Sequence, residues 1–170
     1  MMMDFIRNSR IAAGILVFLR VYIGYTWFMG GLGKIMGGEF HAGGFIEGAA
    51  ANPELATWWT TFLEVVALPN ADLFTFLVMW GELLVGAALI LGLFTNFAAV
   101  MGITMNFAFL FSGTVSINPQ MVLITFFIIV AGYNAGRYGL DRWVIPFLKS
   151  HMPFGKEIDI SDVYESEDIK

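Results

Sequence analysis

Two ionisable side chains interrupt long apolar runs of this sequence, and they are its first candidates for chemistry. Arg20 lies within the apolar run 11–33, and Glu82 lies within the run 73–93. An isolated charge at the centre of a hydrophobic helix costs roughly 2.5–3.5 kcal/mol even on the lowest scales, so it is tolerated when it is paired or when a site requires it. Each residue lies about ten positions from one end of its run. The sequence therefore predicts an Arg20–Glu82 ion pair.

Other polar and aromatic residues share helical faces with these two charges. At about 100° per residue, Arg20, Trp27 and Lys34 fall on one narrow face of the first run. Asn106 lies near the middle of a third apolar run and is expected to face the same interior. His41 lies beside a glycine-rich segment and is a further candidate. The candidate site residues are Arg20, Glu82, Lys34, His41, Trp27 and Asn106.

A purely architectural role is the alternative for these residues. A buried Arg–Glu pair can serve only to fix which helices pack together. Asn106 can bond a neighbouring helix, and Lys34 can be an interface anchor whose ammonium extends to the headgroups. The residues alone leave both interpretations open.

Four apolar runs must position these side chains, and they predict an all-α integral membrane four-helix bundle. Hydrophobic residues make up 58% of the 170 positions and charged residues 14%. A helix needs about 20 apolar residues to cross about 30 Å of hydrocarbon. We expect one transmembrane domain over residues 1–150 and an acidic cytoplasmic tail over residues 151–170. The four runs are 11–33, 73–93, 97–111 and 119–135.

The distribution of basic residues predicts that both chain ends lie in the cytoplasm. Arg7 and Arg10 precede the first run, and four more basic residues follow the fourth. The segment between the first two runs carries Lys34 against several acidic residues. Because cytoplasmic loops collect Lys and Arg, we expect a multi-pass protein of the cell membrane with both termini inside. The first run is longer than the apolar region of a signal peptide, so we interpret it as a retained helix.

The segment 37–71 is predicted to hold an amphipathic helix on the outer surface. Asn52, Pro53 and Glu54 match an N-cap followed by a first helical turn. Apolar residues recur at helical spacing from Leu55 onward and include two tryptophans, which suit the headgroup level. This helix is either an interfacial anchor or a lid over a site.

The composition excludes several kinds of site. The chain has no cysteine, so thiolate nucleophiles, thiolate metal sites and iron–sulfur clusters are excluded. Its two histidines, His41 and His151, fall on opposite sides of the membrane in the predicted topology, so no metal or haem centre is expected. The net charge of -5 and the lack of a basic face give no indication of nucleic-acid binding.

Three motifs follow one another along the chain: Arg20-x3-Gly24-x6-Gly31-x2-Lys34, the segment 81–86 followed by 91–95, and the segment 135–142. They resemble motifs of the DoxX/DoxD family of small membrane proteins and occur in that family's order over roughly residues 10–150. The Trp-rich segment 37–71 is closer to the DoxD branch.

The resemblance implies a membrane oxidoreductase subunit. In the DoxD branch this is the membrane subunit of thiosulfate:quinone oxidoreductase, which acts with a small DoxA partner. The matching polar residues imply catalytic roles for Arg20 and Glu82, with Glu82 exchanging the quinol protons. Arg20 and Lys34 would bind the sulfur anion by charge-assisted hydrogen bonds. Quinone is the implied co-substrate, in an aromatic crevice that includes Trp27; His41 and Asn106 complete the substrate-binding set.

Two functions of other classes compete with this one. The chain can be a non-catalytic membrane anchor or assembly subunit of a redox or respiratory complex. It can also be a small-solute carrier, which is the weakest alternative because the four runs show no internal repeat. For any of these functions the chain can also form a homo-oligomer.

Overall fold

The computed structural model describes residues 2–151, and within that range the chain is helical and has no strand. The predicted all-α class is confirmed. The division into a domain 1–150 and an acidic tail stays a prediction, because residues 152–170 of the tail lie outside the described part of the chain. The helices are α1 (Met2–Asn8), α2 (Arg10–Gly37), α3 (Ala42–Ala50), α4 (Thr57–Phe62), α5 (Ala71–Leu91), α6 (Thr95–Phe111), α7 (Asn118–Ala131), α8 (Tyr133–Gly136) and α9 (Asp141–His151).

Local sequence signals fix the ends of the longest helix, α2. The hydroxyl of Ser9 accepts hydrogen bonds from the backbone N–H groups of Ile11 and Ala12 and so caps the first turn. At the other end Gly38 adopts a left-handed conformation with φ of 70°, which terminates the helix. The resulting helix has 28 residues and extends four residues beyond the end of the predicted apolar run 11–33, to Gly37.

Helices α2 and α5 pack closely side by side. A Cβ built on Gly31 would lie 2.5 Å from the backbone nitrogen of Leu83, and one on Gly24 would lie 2.9 Å from that of Ile90. Since backbone atoms of α5 are among the nearest neighbours at both positions, the two helix backbones approach each other closely. The main apolar core surrounds this contact and extends to α6, α7 and α8; it includes Leu16, Ile23, Trp27, Val85, Leu89, Ala98, Ala99, Met121, Ile128, Ala131 and Ala135.

Substituting Gly31 with alanine is expected to lower the free energy of unfolding by about 2–3 kcal/mol, because the methyl group meets backbone atoms that cannot rotate away. Gly33→Ala is the matched control on the same helix, because a Cβ there has nothing within 4 Å. Unfolding of both variants in detergent micelles checks the prediction. Equal stability of the two variants would contradict the close packing of α2 on α5.

The distribution of side chains between interior and surface is that of a membrane protein. Arg20, Glu82 and Asn106 are buried, while large apolar side chains such as Phe18 and Phe97 are about 70% exposed, at 72% and 69%. Water would penalise such a surface, whereas lipid tails accept it. By length and composition, residues 10–37 and the continuous helical stretch 57–91 could each cross a bilayer; the apolar helices α6 and α7 are shorter.

The segment between α2 and α5 differs from its prediction. Residues 42–50 form α3, which was not predicted, and the next helix begins at Thr57 rather than after Asn52. The side chain of Asn52 accepts a hydrogen bond from the backbone N–H of Glu54, so it closes a local turn instead of capping a helix. The N-cap prediction was therefore wrong.

Helix α4 is also not a separate surface element, because it continues into α5. The junction is a π-helical turn over Leu63–Ala67 followed by a 3-10 turn over Leu68–Asn70. Pro69 in the 3-10 turn has no backbone N–H to donate to the preceding helical turn. The wider π-helical turn before it accommodates the proline, so that the chain remains helical from α4 to α5. At the other end of the bundle, helix α7 ends at Ala131, four residues before the end of the predicted run 119–135. It ends there because Gly132 adopts φ of 58° and ψ of -132°, which are not helical.

Candidate functional site

A cap formed by α3, α4 and the π-helical turn covers one end of the four long helices. Its own apolar cluster consists of Ala42, Ile46, Ala49, Leu63 and Ala67. Hydrogen bonds join the cap to the helices beneath it. The backbone N–H of Ala42 donates to the hydroxyl of Thr75 at 2.9 Å, and the indole of Trp59 donates to the hydroxyl of Ser112 at 3.0 Å.

A cavity of about 380 Å³ lies between this cap and the helices α2, α5, α6 and α7. The size is within the usual range for a small-molecule site, roughly 300–1,000 Å³. Its walls are mainly aromatic and aliphatic, with few polar groups. The aromatic lining consists of Trp27, Phe40, Phe45, Trp59, Phe62, Phe74 and Phe109.

An ion pair between Lys34 and Glu82 forms part of the cavity wall. The ammonium nitrogen lies 2.6 Å from a carboxylate oxygen of Glu82, and the side chains are 28% and 4% exposed. Lys34 also lies over the ring of Phe40, with its ammonium 5.4 Å from the ring centroid. Gly30 makes room for the pair, because a Cβ there would lie 2.9 Å from the same carboxylate oxygen. The cavity therefore presents a charged donor and a charged acceptor in a mainly apolar wall.

The predicted Arg20–Glu82 ion pair was wrong. Arg20 lies against Gly92, at the opposite end of α5 from the cap. Glu82 is ten residues away along that helix, a distance of about 15 Å at 1.5 Å per residue. The prediction assumed that the apolar runs of α2 and α5 have similar lengths, so that a residue ten positions from the end of either run lies at the middle of the membrane. Helix α2 has 28 residues, so its partner to Glu82 lies a further fourteen residues along the chain, at Lys34.

Arg20 instead belongs to a buried polar cluster outside the cavity. Its guanidinium donates a hydrogen bond to the carbonyl oxygen of Ala135 at 3.0 Å and is subject to the field of the Asp141 carboxylate. Asp141 in turn accepts hydrogen bonds from the backbone N–H groups of Phe94 and Thr95, at 2.6 and 2.9 Å. The cluster connects the α5–α6 turn to the start of α9, so these contacts support an architectural role for Arg20.

Trp27 and Asn106 lie on the side of the cavity that faces α6 and α7. Trp27 lines it, and its buried indole N–H has no hydrogen-bond partner within residues 2–151. Asn106 is fully buried just behind the wall, and its amide donates to the side-chain oxygen of Asn118 at 2.9 Å. Asn118 lines the cavity and was missed in the sequence, where its position before Pro119 indicated only a helix start.

His41 does not line the cavity. Its Nδ1 accepts a hydrogen bond from the backbone N–H of Gly43, so it caps the start of α3. Because Nδ1 is an acceptor, Nε2 carries a proton and donates to a carboxylate oxygen of Asp72 at 3.0 Å. Its neighbour Ala42 contributes to the cavity wall, so His41 positions the cap.

A comparison with models of known protein families matches residues 15–114 of this chain to the family described as DoxX. The matched range contains α4, α5 and α6, together with most of α2, and it includes the cap and the Lys34–Glu82 pair. Neither the curated proteins nor the solved structures gave a match.

Proposed function

Because this chain belongs to the DoxX family, we propose that it is a multi-pass membrane protein whose capped cavity binds and reduces a quinone, with electrons from thiosulfate or a related sulfur anion. The observation that carries the proposal is the Lys34–Glu82 ion pair in the wall of an aromatic cavity. Membership of the family alone does not determine a reaction, so the argument depends on the site.

The proposed membrane arrangement has four crossings by α2, α5, α6 and α7. Helices α6 and α7 have 17 and 14 residues. At 1.5 Å per residue they span about 25 and 21 Å, so flanking residues must complete their crossings. The arginines near the starts of α2 and α9 favour the cytoplasm for that end. The cap and the cavity then lie toward the outer surface, within reach of quinone dissolved in the bilayer.

A quinone headgroup matches the chemistry of the cavity better than a sulfur dianion does. Aromatic side chains can pack against a flat conjugated ring. The Lys34 ammonium can donate a hydrogen bond to a quinone carbonyl, and the Glu82 carboxylate lies beside it to exchange a proton. Reduction to quinol takes up two electrons and two protons, so a proton-exchanging group at the ring is required. Glu82 offsets the charge of Lys34, which leaves little attraction for a free dianion.

The proposal of a sulfur anion as electron donor rests on the resemblance to the DoxD branch, and we propose that its binding site lies outside this cavity. With no cysteine in the chain, electrons would pass from the sulfur anion to the quinone without a thiol intermediate on this protein. A DoxA-like partner subunit would bring the donor to the cap. Arg20 is excluded from that role by its burial at the opposite end of α5.

Quinone reduction by the purified protein tests the proposal. A short-chain ubiquinone is offered with thiosulfate, sulfite or sulfide as donor. We expect Glu82→Gln to lower the turnover number by about 100-fold or more, as for the loss of a general acid–base group. Glu47→Gln, on the exposed face of α3, removes the same charge and should retain activity.

Quenching of tryptophan fluorescence measures quinone binding separately, because Trp27 and Trp59 line the cavity. A wild-type protein that neither binds nor reduces quinone with any of these donors would overturn the proposal. That outcome would favour the non-catalytic anchor subunit, for which changes to the cap should impair assembly of the complex.

A further inference from the structure

A second cavity lies at the end of the bundle away from the cap and is lined by four arginines. It has a volume of about 760 Å³ and lies among α1, the start of α2, α8 and the start of α9. The arginines come from parts of the chain that are far apart in sequence, so the fold brings them together. They are Arg7, Arg10, Arg137 and Arg142, and Tyr133 and Tyr138 complete most of the wall.

Two of the arginines donate hydrogen bonds to backbone carbonyl oxygens and so join the elements around the cavity. Arg7 donates to the carbonyl oxygen of Val130 at 3.0 Å, and Arg137 donates to that of Asn8 at 3.2 Å. Nearby, the amide of Asn134 donates to two carbonyl oxygens at the end of α1, at 2.8 and 3.0 Å. These contacts fix α1 against α8 without supplying a negative charge.

The other two arginines, Arg10 and Arg142, are exposed. Within residues 2–151 neither side chain makes a hydrogen bond to the protein, and the guanidinium of Arg142 lies 6.0 Å from the centroid of the Trp143 ring. The ion pairs Lys34–Glu82 and His41–Asp72 lie toward the cap, at the other end of the bundle. A concave site with this excess of guanidinium groups is complementary to an anion.

We propose that this cavity binds the phosphate of an anionic lipid headgroup. Guanidinium groups bind phosphate oxygens in a bidentate manner, and basic pockets at the cytoplasmic side of helix bundles suit acidic headgroups. Tyr133, Tyr138 and Trp143 are 51%, 50% and 64% exposed at the same end of the molecule. Tyr and Trp at a common level are typical of the membrane–water interface. The inference depends on the proposed membrane placement and not on the quinone reaction.

Native mass spectrometry of the detergent-purified full chain tests this site. The protein is offered equal amounts of phosphatidylglycerol and phosphatidylcholine, and the wild type should retain phosphatidylglycerol preferentially. Arg142→Gln should weaken that retention by about tenfold, as expected for a lost charge-assisted hydrogen bond, and Arg10→Gln/Arg142→Gln should weaken it further. Lys149→Gln removes the same charge from the exposed side of α9, outside the cavity, and should retain the lipid as the wild type does.

Competition with inorganic phosphate distinguishes a lipid from a soluble anion. Phosphate at millimolar concentration should leave the lipid bound. Displacement by phosphate alone, equal retention of the two lipids, or an equal effect of Arg142→Gln and Lys149→Gln would each overturn the proposal. Thermal unfolding without added lipid shows whether each variant is folded. If the double variant does not fold, the comparison of Arg142→Gln with Lys149→Gln decides the test. Lipid retention is measured without turnover, so failure of the lipid proposal can be told apart from failure of the quinone proposal.

Discussion

Replacing Lys34 with methionine should lower the free energy of unfolding by about 3 kcal/mol, the lower end of the range for breaking a buried ion pair. The lower end applies because Lys34 is 28% exposed, whereas Glu82 is only 4% exposed and so remains largely desolvated. The change leaves the Glu82 carboxylate in the cavity wall without the cation that lies 2.6 Å from it. Unfolding in detergent micelles measures the loss.

The double variant Lys34→Met/Glu82→Gln should recover most of this stability, because no uncompensated charge remains. Lys149→Met is the control: its side chain is exposed on α9, and the effect should be within about 0.5 kcal/mol, as is usual for surface substitutions. If the effects of the single substitutions at Lys34 and Glu82 simply add in the double variant, the two residues do not interact as the structure indicates.

The apolar runs predicted the helices well because burial of apolar side chains, in protein or lipid, determines them. The run 97–111 became α6 at Thr95–Phe111, and the run 73–93 became α5 at Ala71–Leu91. The position of Lys34 on one face with Arg20 and Trp27 was also predictable from helical spacing. Those three residues are all at least partly buried, as a shared inward face requires.

The partners of the charged residues could not be predicted in the same way, because pairing depends on the relative depth of two helices. Helix α2 extends past its apolar core to Gly37, and this extension brings Lys34 rather than Arg20 level with Glu82. The extension, residues 34–37, includes Gly37, which has weak helix propensity, so contact of Lys34 with Glu82 of α5 helps to stabilise the helix there.

The cap was predicted only in part for a related reason. The glycine-rich segment beside His41 gave no indication of a helix, yet residues 42–50 form α3 because Ala42, Ile46 and Ala49 pack against the turn at Leu63–Ala67. Tertiary burial overrode the local propensity. The position of His41 beside the glycines made it a candidate site residue. Its actual role, as the N-cap residue of α3, could not be predicted because the sequence did not indicate α3.

Replacing Asp141 with alanine should lower the free energy of unfolding by about 3–4 kcal/mol, because the change removes two kinds of interaction at once. The carboxylate accepts hydrogen bonds from the backbone N–H groups of Phe94 and Thr95, which begin α6. Hydrogen bonds to a charged group contribute about 1.5–3 kcal/mol each. Phe94 has φ of 48°, a left-handed conformation that costs a residue with a Cβ and that these bonds help to hold. The carboxylate also compensates the buried charge of Arg20.

The matched control is Asp72→Ala, whose carboxylate is 99% exposed in its pair with His41 and should contribute less than about 1 kcal/mol. Combining Asp141→Ala with Arg20→Met separates the two contributions of Asp141. If compensation of Arg20 dominates, the double variant should be more stable than the sum of the single effects predicts. If capping of α6 dominates, the two effects should add, and Asp141→Asn should lose less stability than Asp141→Ala. An Asp141→Ala protein as stable as the Asp72→Ala protein would show that the α5–α6 turn does not depend on this carboxylate.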